Sequence, residues 1–322
     1  DTKDMLMAGK TLPGVYGASS PRMNVADLRT KGWEASVTWG DSFTLASKPF
    51  NYRIMAGIGD NTSKVTKYDN PNRTLTDPYE GQQLGEIWGY VVDGYFKTDE
   101  EARNYKVDQS FVNQMINASA LDNGLHAGDL KFVDLDGNNK IEQTTSANDR
   151  KDMKVIGNSL PRYNYNFGIS ADWYGIDFSV LFQGIGKQNW YPGAETSMFW
   201  GPYSRPYASF IPSDFMSQVW SEENTNAYFP RPRGYVALGS NRELAVVNTK
   251  YLQNLAYCRL KNLSIGYTLP DKWLSKIGFE KIRVYFSGEN LLTFTKLHSD
   301  YIDPEQASAS NSWKTSKSDE IG

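Results

Sequence analysis

The chain has 322 residues, of which 34 are Lys or Arg and 37 are Asp or Glu, so its formal net charge is −3. A chain this close to neutral, with a pI near 5.6, is poorly suited to nucleic-acid binding, and that class of partner is excluded. A single cysteine, Cys258, excludes an internal disulfide, and two histidines leave little for a histidine-rich metal or catalytic site.

Aromatic residues make up 14% of the chain, yet its mean hydropathy is −0.56. A transmembrane β-barrel produces this combination, because every second strand residue faces lipid, the lumen side is polar, and rings gather at the two membrane interfaces. A soluble, aromatic-rich β-protein would have a similar composition. No apolar run approaches the ~18 to 20 residues that a membrane helix requires, so any membrane crossing must be made by strands.

Alternation of apolar and polar residues, the period of a two-faced strand, begins at residues 32–39. There Trp33 and Val37 fall on one face, and Glu34 lies on the other. Residues 50–58 repeat the pattern after a short polar link. The two segments therefore predict a β-hairpin.

A polar segment rich in Asp, Asn, Gly and Thr follows at 59–160, with one strand-like piece at 86–96. Alternation resumes at 162–173, and Tyr174-Gly175 predicts a tight turn into the next strand. A second long polar segment spans 184–250.

The most regular part of the chain, residues 251–303, contains two alternating segments at 256–268 and 281–292. The connection between Pro270 and Gly278 is tight. It predicts a single short helix whose apolar residues cover one face: Trp273, Leu274 and Ile277.

Six strands are thus predicted, joined alternately by tight turns and long segments. Outer-membrane barrels show this asymmetry, with tight periplasmic turns and long extracellular loops. The predicted fold class is therefore all-β, a transmembrane antiparallel β-barrel in which 59–160 and 184–250 are extracellular loops. Because six strands cannot close around an aqueous lumen without exposing backbone edges to lipid, the chain is expected to be a segment of a larger barrel.

The alternation also assigns strand faces. The residues expected to face lipid are Trp33, Val37, Ile54, Tyr165, Phe167, Phe178, Leu263 and Ile265. The residues expected to face inward are Glu34, Thr38, Arg53, Asn164 and Asn166.

Several motifs recur in a fixed order along the chain. Those in its last part are RLKNL at 259–263, GYTLP at 266–270, RVY at 283–285 and SGENLLT at 287–293. Those further upstream are LGEIWGY at 84–90, DGYF at 93–96, AGDLKFVD at 127–134 and IGNSLP at 156–161. In order and approximate spacing, these motifs resemble the C-terminal third of the SusC-like TonB-dependent transporters of the outer membrane.

The resemblance implies a multi-pass protein of the Gram-negative outer membrane that imports glycans or other large nutrients. It further implies a SusD-like surface lipoprotein that acts as a lid, and coupling to TonB through a plug domain. Residues 1–322 would then be the C-terminal portion of a barrel of about 22 strands, with the plug domain and the closing strand expected outside it. No covalent chemistry is implied. SusC-like proteins also import peptides, so the choice between glycan and peptide stays open.

The sharpest chemical motif is DLDGNNKIE at 134–142, where oxygen-bearing side chains at alternate positions resemble the start of a calcium loop. The candidate ligands are Asp134, Asp136, Asn138, Lys140 and Glu142. The sixth position is Asn139 instead of Gly, and the twelfth is Thr145 instead of a bidentate Glu. Asn tolerates the left-handed conformation, and Asp149 or Asp152 would supply a later carboxylate. The alternative is an Asn-Gly turn whose side chains bond their own backbone.

A second candidate site is aromatic and lies in the second long segment. Flat rings beside hydrogen-bonding groups suit sugars, which combine apolar C–H patches with hydroxyls. The candidate substrate-binding rings are Trp190, Tyr191, Phe199, Trp200, Tyr203 and Tyr207. The alternative is that these rings pack the loop on the barrel mouth or belong to the outer aromatic girdle.

Two other classes of protein remain to be weighed. A soluble, secreted β-sandwich that binds carbohydrate would also use alternating strands and exposed rings. A surface glycoside hydrolase would need two carboxylates at a fixed separation, which a sequence does not provide.

Overall fold

The computed structural model describes residues 1–8, 14–17, 21–112, 124–204, 211–232, 234–239, 242–275 and 278–307. Its strands are β1 (Thr2–Ala8), β2 (Arg22–Leu45), β3 (Lys48–Lys67), β4 (Glu86–Tyr90), β5 (Val92–Tyr95), β6 (Leu130–Phe132), β7 (Met153–Asn158), β8 (Arg162–Trp173), β9 (Ile176–Lys187), β10 (Asn189–Trp190), β11 (Gln253–Asn254), β12 (Tyr257–Thr268) and β13 (Arg283–Thr295). Its α-helices are α1 (Asp99–Arg103), α2 (Ser197–Trp200) and α3 (Asp271–Leu274). Its 3-10 helices are Gly14–Tyr16, Gly201–Tyr203, Phe215–Gln218 and Tyr235–Leu238. Among these described helices, none is long and apolar enough to cross a membrane.

Seven strands form one antiparallel sheet in the order β1-β2-β3-β8-β9-β12-β13. Short connections join β2 to β3, β8 to β9 and β12 to β13 at one end of the strands, which we call the tight-turn edge. The long segments after β3 and β9 lie at the opposite end of the strands, the long-loop edge. The structure confirms the predicted all-β antiparallel fold, and the tight-turn edge corresponds to the periplasmic side of an outer-membrane barrel.

Two of the short connections are two-residue turns with a left-handed backbone. Ala46 and Ser47 have φ of 48° and 62°, and Tyr174 and Gly175 have φ of 48° and 86°. Positive φ at both positions is typical of the type I′ turn, whose twist matches that of the flanking strands. The Tyr174-Gly175 turn was predicted from its glycine. The Ala46-Ser47 turn carries no such signal and is set by the strands on either side.

The sheet extends further than the alternation predicts. β2 has 24 residues and β3 has 20, and they stay paired from Leu45↔Lys48 to Asp27↔Lys67. Beyond the apolar band these strands are mostly polar, with isolated apolar residues such as Leu28 and Val65, so no sustained alternation signals them. β1 was not predicted at all, because register shifts on both sides of Met5 break its period.

The predicted strand faces are confirmed by the register. Directly paired residues form a continuous row of apolar side chains across six strands: Val37, Ala56, Phe167, Phe182, Leu260 and Leu292. On the opposite face, the pairing aligns Glu34 with Gly59 and Gly59 with Asn164. On the outward face Val37 is 61% exposed and Phe167 39% exposed. An apolar surface of this width is covered by lipid in a barrel.

An aromatic girdle marks the tight-turn end of the outward face. Phe43 packs on Phe50 with ring centroids 5.0 Å apart, and the Trp39 indole N–H donates to the Tyr52 hydroxyl at 3.2 Å. Trp33, ten residue steps from Phe43 along β2, lies at the other end of the apolar band. At ~3.3 Å per residue and a tilt of ~45°, ten steps span ~23 Å, close to the ~25 Å height of a barrel's apolar band.

The short helix predicted between the last two strands is α3. Leu274 is buried, but Trp273 is 60% exposed, so the expectation that they share one covered face is wrong. Consecutive helical residues point in different directions around the axis, and only one of the two can face the sheet. Ile277 lies outside the described residues.

The two long segments fold together at the edge opposite the tight turns. Strands β4 and β5, which pair with β7 and β6, contain the strand-like piece predicted at 86–96. Residues from both segments and from the stretch after β13 share one hydrophobic core, to which Tyr90, Phe132, Trp200, Tyr251 and Ile302 contribute. We call this three-part unit the outer loop assembly.

Candidate functional site

The inward face of the sheet carries a polar cleft of about 560 Å³ that spans β2, β3, β8 and β9. Glycines leave its floor open. A Cβ added at Gly57 would lie 3.2 Å from the Asn166 amide nitrogen, and one added at Gly59 would lie 3.7 Å from Cγ of Glu34. The charged and amide-bearing residues that line the cleft are Glu34, Asp60, Asn61, Asn164, Asn166 and Gln183, and the Asp60 carboxylate is paired with Arg162.

This cleft brings together three residues that the alternation placed inward: Glu34, Asn164 and Asn166. An amide side chain both donates and accepts hydrogen bonds, and an ionised carboxylate accepts them. Within the described residues, Glu34 makes no ion pair. The cleft is therefore suited to hydroxyl, amide and positively charged groups on a molecule in the lumen.

The aromatic rings predicted to bind substrate lie inside the outer loop assembly. Trp200 is fully buried, and Trp190, Phe199 and Tyr203 are each less than 5% exposed. Trp200 lies 4.8 Å from Phe199 and 5.2 Å from Tyr251, measured between ring centroids.

Tyr191 is partly buried against the same core, and Tyr207 lies outside the described residues. Because the buried rings contact one another, their faces are not offered to a sugar. The geometry corresponds to the alternative in which the rings pack the loops.

Several polar atoms within this core are paired with one another. The Tyr191 hydroxyl donates to the Leu244 carbonyl at 2.8 Å and accepts from the Asn248 amide at 2.8 Å. The Tyr95 and Tyr251 hydroxyls lie 3.0 Å apart. Burial raises the pKa of Tyr191 and Tyr251 well above the ordinary value, so both stay neutral. Such a paired network fixes the relative positions of the segments that carry it.

One cluster at the edge of this core could not be anticipated from the sequence. The His298 ring stacks on Tyr228 with centroids 3.5 Å apart, and its Nε2 lies 2.7 Å from Oε1 of Gln218. The Lys250 ammonium lies 4.7 Å from the Tyr95 ring centre and 5.6 Å from that of Tyr228. Burial lowers the pKa of His298 and of Lys250. These residues come from three separate segments, so no local spacing could have identified them.

The acidic loop brings three carboxylates together. Ligand oxygens of Asp134, Asp136 and Asp152 all lie within 4.8 Å of one another. Asn139, at the sixth position of the motif, has φ of 63°, the left-handed conformation that the missing glycine would have supplied. Of the other predicted ligands, the Asn138 amide donates to Asp136 and to Glu142, each at 3.2 Å. Lys140 Nζ lies 4.0 Å from Glu142.

Backbone amides bind several of these carboxylates. The Gly137 and Asn139 N–H groups donate to Asp134 at 2.7 Å, and the Leu135 and Glu142 N–H groups donate to buried Asp152 at 2.8 and 2.7 Å. Although burial opposes it, these hydrogen bonds lower the pKa of Asp134.

For Asp152 the pKa changes in the opposite direction. Burial raises its pKa, and the negative charges of Asp136 and Asp134 raise it further. A cation in the loop would relieve that repulsion.

The RLKNL motif ties the stretch after β13 to the sheet. The Arg259 guanidinium donates to Asp303 at 2.6 Å, to Glu305 at 2.8 Å and to the Thr293 hydroxyl at 2.9 Å. Lys261 donates to Glu305 at 2.9 Å. Arg259 is 6% exposed, so this is a largely desolvated ion-pair network that holds the outer loop assembly to β12.

Curated relatives match nearly the whole chain. TonB-dependent receptor P3 of Formosa agariphila is 28% identical over 319 residues, which cover 94% of this chain and 28% of that receptor. TonB-dependent receptor P39 of the same organism is 25% identical over 322 residues, which cover 91% of this chain and 29% of the receptor. The chain thus spans less than a third of the length of the curated relatives that it matches. No protein-family model matches it.

Solved structures share the fold. The chain superimposes on a structure of the RagAB peptide transporter with a TM-score of 0.63 at 19% identity, covering 95% of this chain and 29% of that one. For the RagAB peptide importer in its "open-open" state, the TM-score is 0.62 at 20% identity, with the same coverage.

Proposed function

We propose that this chain, which is homologous to the TonB-dependent receptors of the outer membrane, forms barrel wall and substrate-binding outer surface of an importer of large nutrients. The chain is an outer-membrane β-barrel segment of the SusC-like type. One observation carries the proposal: a sheet with a continuous apolar face outward and a polar cleft inward. That arrangement serves passage of a polar molecule across lipid and implies no covalent chemistry.

Peptides are the substrate class that we favour over glycans. The rings that suit sugar faces are packed inside the outer loop assembly. The inward cleft instead presents side-chain amides that match a peptide backbone, and Glu34 matches the charge of Lys, Arg or a free amino terminus. The structurally similar RagAB complex is described as a peptide transporter, which agrees with this choice.

Uptake by cells that carry the full-length protein tests the substrate. We expect depletion of peptides, but not of oligosaccharides, from a mixture of both. Glu34→Gln should lower uptake of peptides with Lys or Arg roughly two- to five-fold, since one exposed ion pair is worth up to ~1 kcal/mol. Glu289→Gln, on the inward face but outside the cleft, is the matched control. Depletion of oligosaccharides alone would refute peptides and keep the importer; depletion of neither would refute import.

The partners that we propose are TonB, reached through a plug domain, and a SusD-like surface lipoprotein seated on the outer loop assembly. The assembly supports this role because its buried aromatic core and the Arg259 network give a partner a rigid surface. In this arrangement the buried rings serve substrate capture indirectly, by holding the mouth in shape. Purification of the tagged full-length protein in mild detergent should retain a surface lipoprotein, and its consistent absence would contradict the lid.

We also propose that the acidic loop binds one calcium ion. The close carboxylates of Asp134, Asp136 and Asp152 and the left-handed Asn139 support it. Calorimetric titration of the folded protein should show calcium binding that Asp136→Asn weakens at least about ten-fold, since affinity depends on the number of ligand charges. Asp149→Asn, nearby but outside the cluster, should leave affinity unchanged. No heat above dilution would refute the site.

A further inference from the structure

A second cleft, of about 470 Å³, opens near the loop edge of β2 and β3 and is rich in positive charge. Its charged and hydroxyl-bearing lining residues are Arg29, Lys31, Thr62, Lys64, Thr66 and Glu80. This second cleft shares no lining residue with the inward cleft, and its lining lies outside the sequence motifs described above.

The basic side chains lie on the lipid-facing side of the sheet. Along β2, Arg29 and Lys31 alternate onto the same face as Trp33, with no register shift between them and Trp33. Lys31 is the next outward residue after Trp33 toward the long-loop edge, ~7 Å further along the strand. Trp33 ends the apolar band, so these cations lie at the level of the lipid headgroups in the outer leaflet.

The pairing of these strands places like charges together. Arg29 and Lys64 are direct cross-strand partners. Like charges directly opposite each other destabilise a sheet unless something neutralises them. Arg29 is paired with Asp1, at 2.8 Å between Nε and Oδ1, but within the described residues Lys31 and Lys64 have no ion pair. Three cations thus meet a single lining carboxylate, that of Glu80.

We propose that this cleft binds the phosphate-bearing headgroup of an anionic lipid of the outer leaflet. Lys31 and Lys64 would neutralise the phosphate, and the Thr62 and Thr66 hydroxyls would donate hydrogen bonds to its oxygens. The acyl chains would then run down the apolar face beside Trp33 and Val37. The proposal depends on placement in the outer membrane and is independent of which nutrient is imported.

The test compares lipid binding by the full-length protein and two variants in phosphatidylcholine nanodiscs, with diphosphoryl lipid A or its dephosphorylated form added. Bound lipid is counted by native mass spectrometry after release from the disc. We expect the wild type to retain the phosphorylated form selectively. The double variant Lys31→Gln/Lys64→Gln should bind it roughly 10- to 30-fold more weakly, since each basic residue near an anionic surface contributes ~1 kcal/mol. Lys154→Gln, exposed in the outer loop assembly, is the control and should bind like the wild type.

Far-ultraviolet circular dichroism and the heat-dependent gel mobility of the barrel verify that each variant is folded. Retention of the dephosphorylated lipid to the same extent would overturn the proposal, because the phosphate would then play no part. Equal binding by the double variant and the control would overturn it as well. Complete competition by millimolar inorganic phosphate would assign the cleft to a free anion and not to a lipid.

Discussion

Phe167 and Asn166 are neighbours in β8 whose side chains face opposite sides of the sheet. Phe167 stacks on Phe182 with centroids 4.6 Å apart on the lipid side. Asn166 lies over Gly57 in the inward cleft. One position along the strand therefore separates a hydrocarbon environment from a polar one.

The substitution Phe167→Arg should destabilise the folded barrel far more than Asn166→Arg. A charge near the bilayer midplane on the lipid face costs ~2 to 4 kcal/mol, whereas the inward position keeps the guanidinium among polar groups. The measurement is the free energy of folding of the full-length barrel into lipid vesicles, from urea titration of each variant. Equal destabilisation by the two substitutions would show that the proposed strand register is incorrect.

At the level of single residues, the sequence could reveal only those features of the sites that depend on neighbours along the chain. Inward residues such as Asn164 were predictable because alternation is a local property. The burial of Trp200 was not, because its contacts with Tyr251 come from a residue far along the chain. Asp152 could be anticipated only as a late ligand, since its distance from Asp134 depends on how the loop folds.

Glycine positions within the strands show how elements approach one another. In β9, a Cβ at Gly184 would overlap the Tyr257 carbonyl of β12 and lie 2.5 Å from Cζ of Tyr165 on β8. The Tyr165 ring crosses this gap, and its hydroxyl donates to that carbonyl at 3.0 Å. Gly184 thus lets a ring of one strand reach the backbone of the next but one.

Gly184→Ala should destabilise the barrel by roughly 1 to 3 kcal/mol, because an added methyl forces Tyr165 and the backbone apart. Gly59→Ala is the matched control, since its Cβ would meet nothing closer than 3.5 Å. That substitution should change stability by less than about 0.5 kcal/mol. Urea midpoints of the two variants and the wild type provide the comparison, and equal shifts would contradict the role of Gly184.

Most strands in the membrane region could be predicted because lipid on one side and water on the other impose a period of two. Beyond the membrane surface both sides of a strand face water, so this period of two is no longer imposed. The upper parts of β2 and β3, where Asn61 and Lys64 lie, continue the backbone pairing with few apolar side chains, and β1 is irregular around Met5. Backbone hydrogen bonds leave no trace in side-chain polarity, so these strands were missed or shortened.

On the scale of the whole molecule, the chain has two differently built halves. The sheet has its apolar side chains outward, on a surface completed by lipid, whereas the outer loop assembly buries Trp200, Phe229 and Tyr251 in a conventional core. The sequence revealed the loops as long polar segments but not that they share a core with residues after β13, such as Ile302. That association is made by contacts between distant segments, which no local pattern encodes.

Trp200→Ala should therefore loosen the outer loop assembly and leave the barrel wall intact. Trp200 is fully buried, and its indole N–H donates to the Gly193 carbonyl at 3.0 Å, so truncation leaves both a cavity and an unpaired acceptor. Such a change costs ~3 to 5 kcal/mol. Amide hydrogen exchange should accelerate in β10 and β11 while β8 and β9 stay protected. Trp273→Ala, 60% exposed at the opposite edge, should leave the loops protected; acceleration spread evenly over loops and wall would contradict two separately built halves.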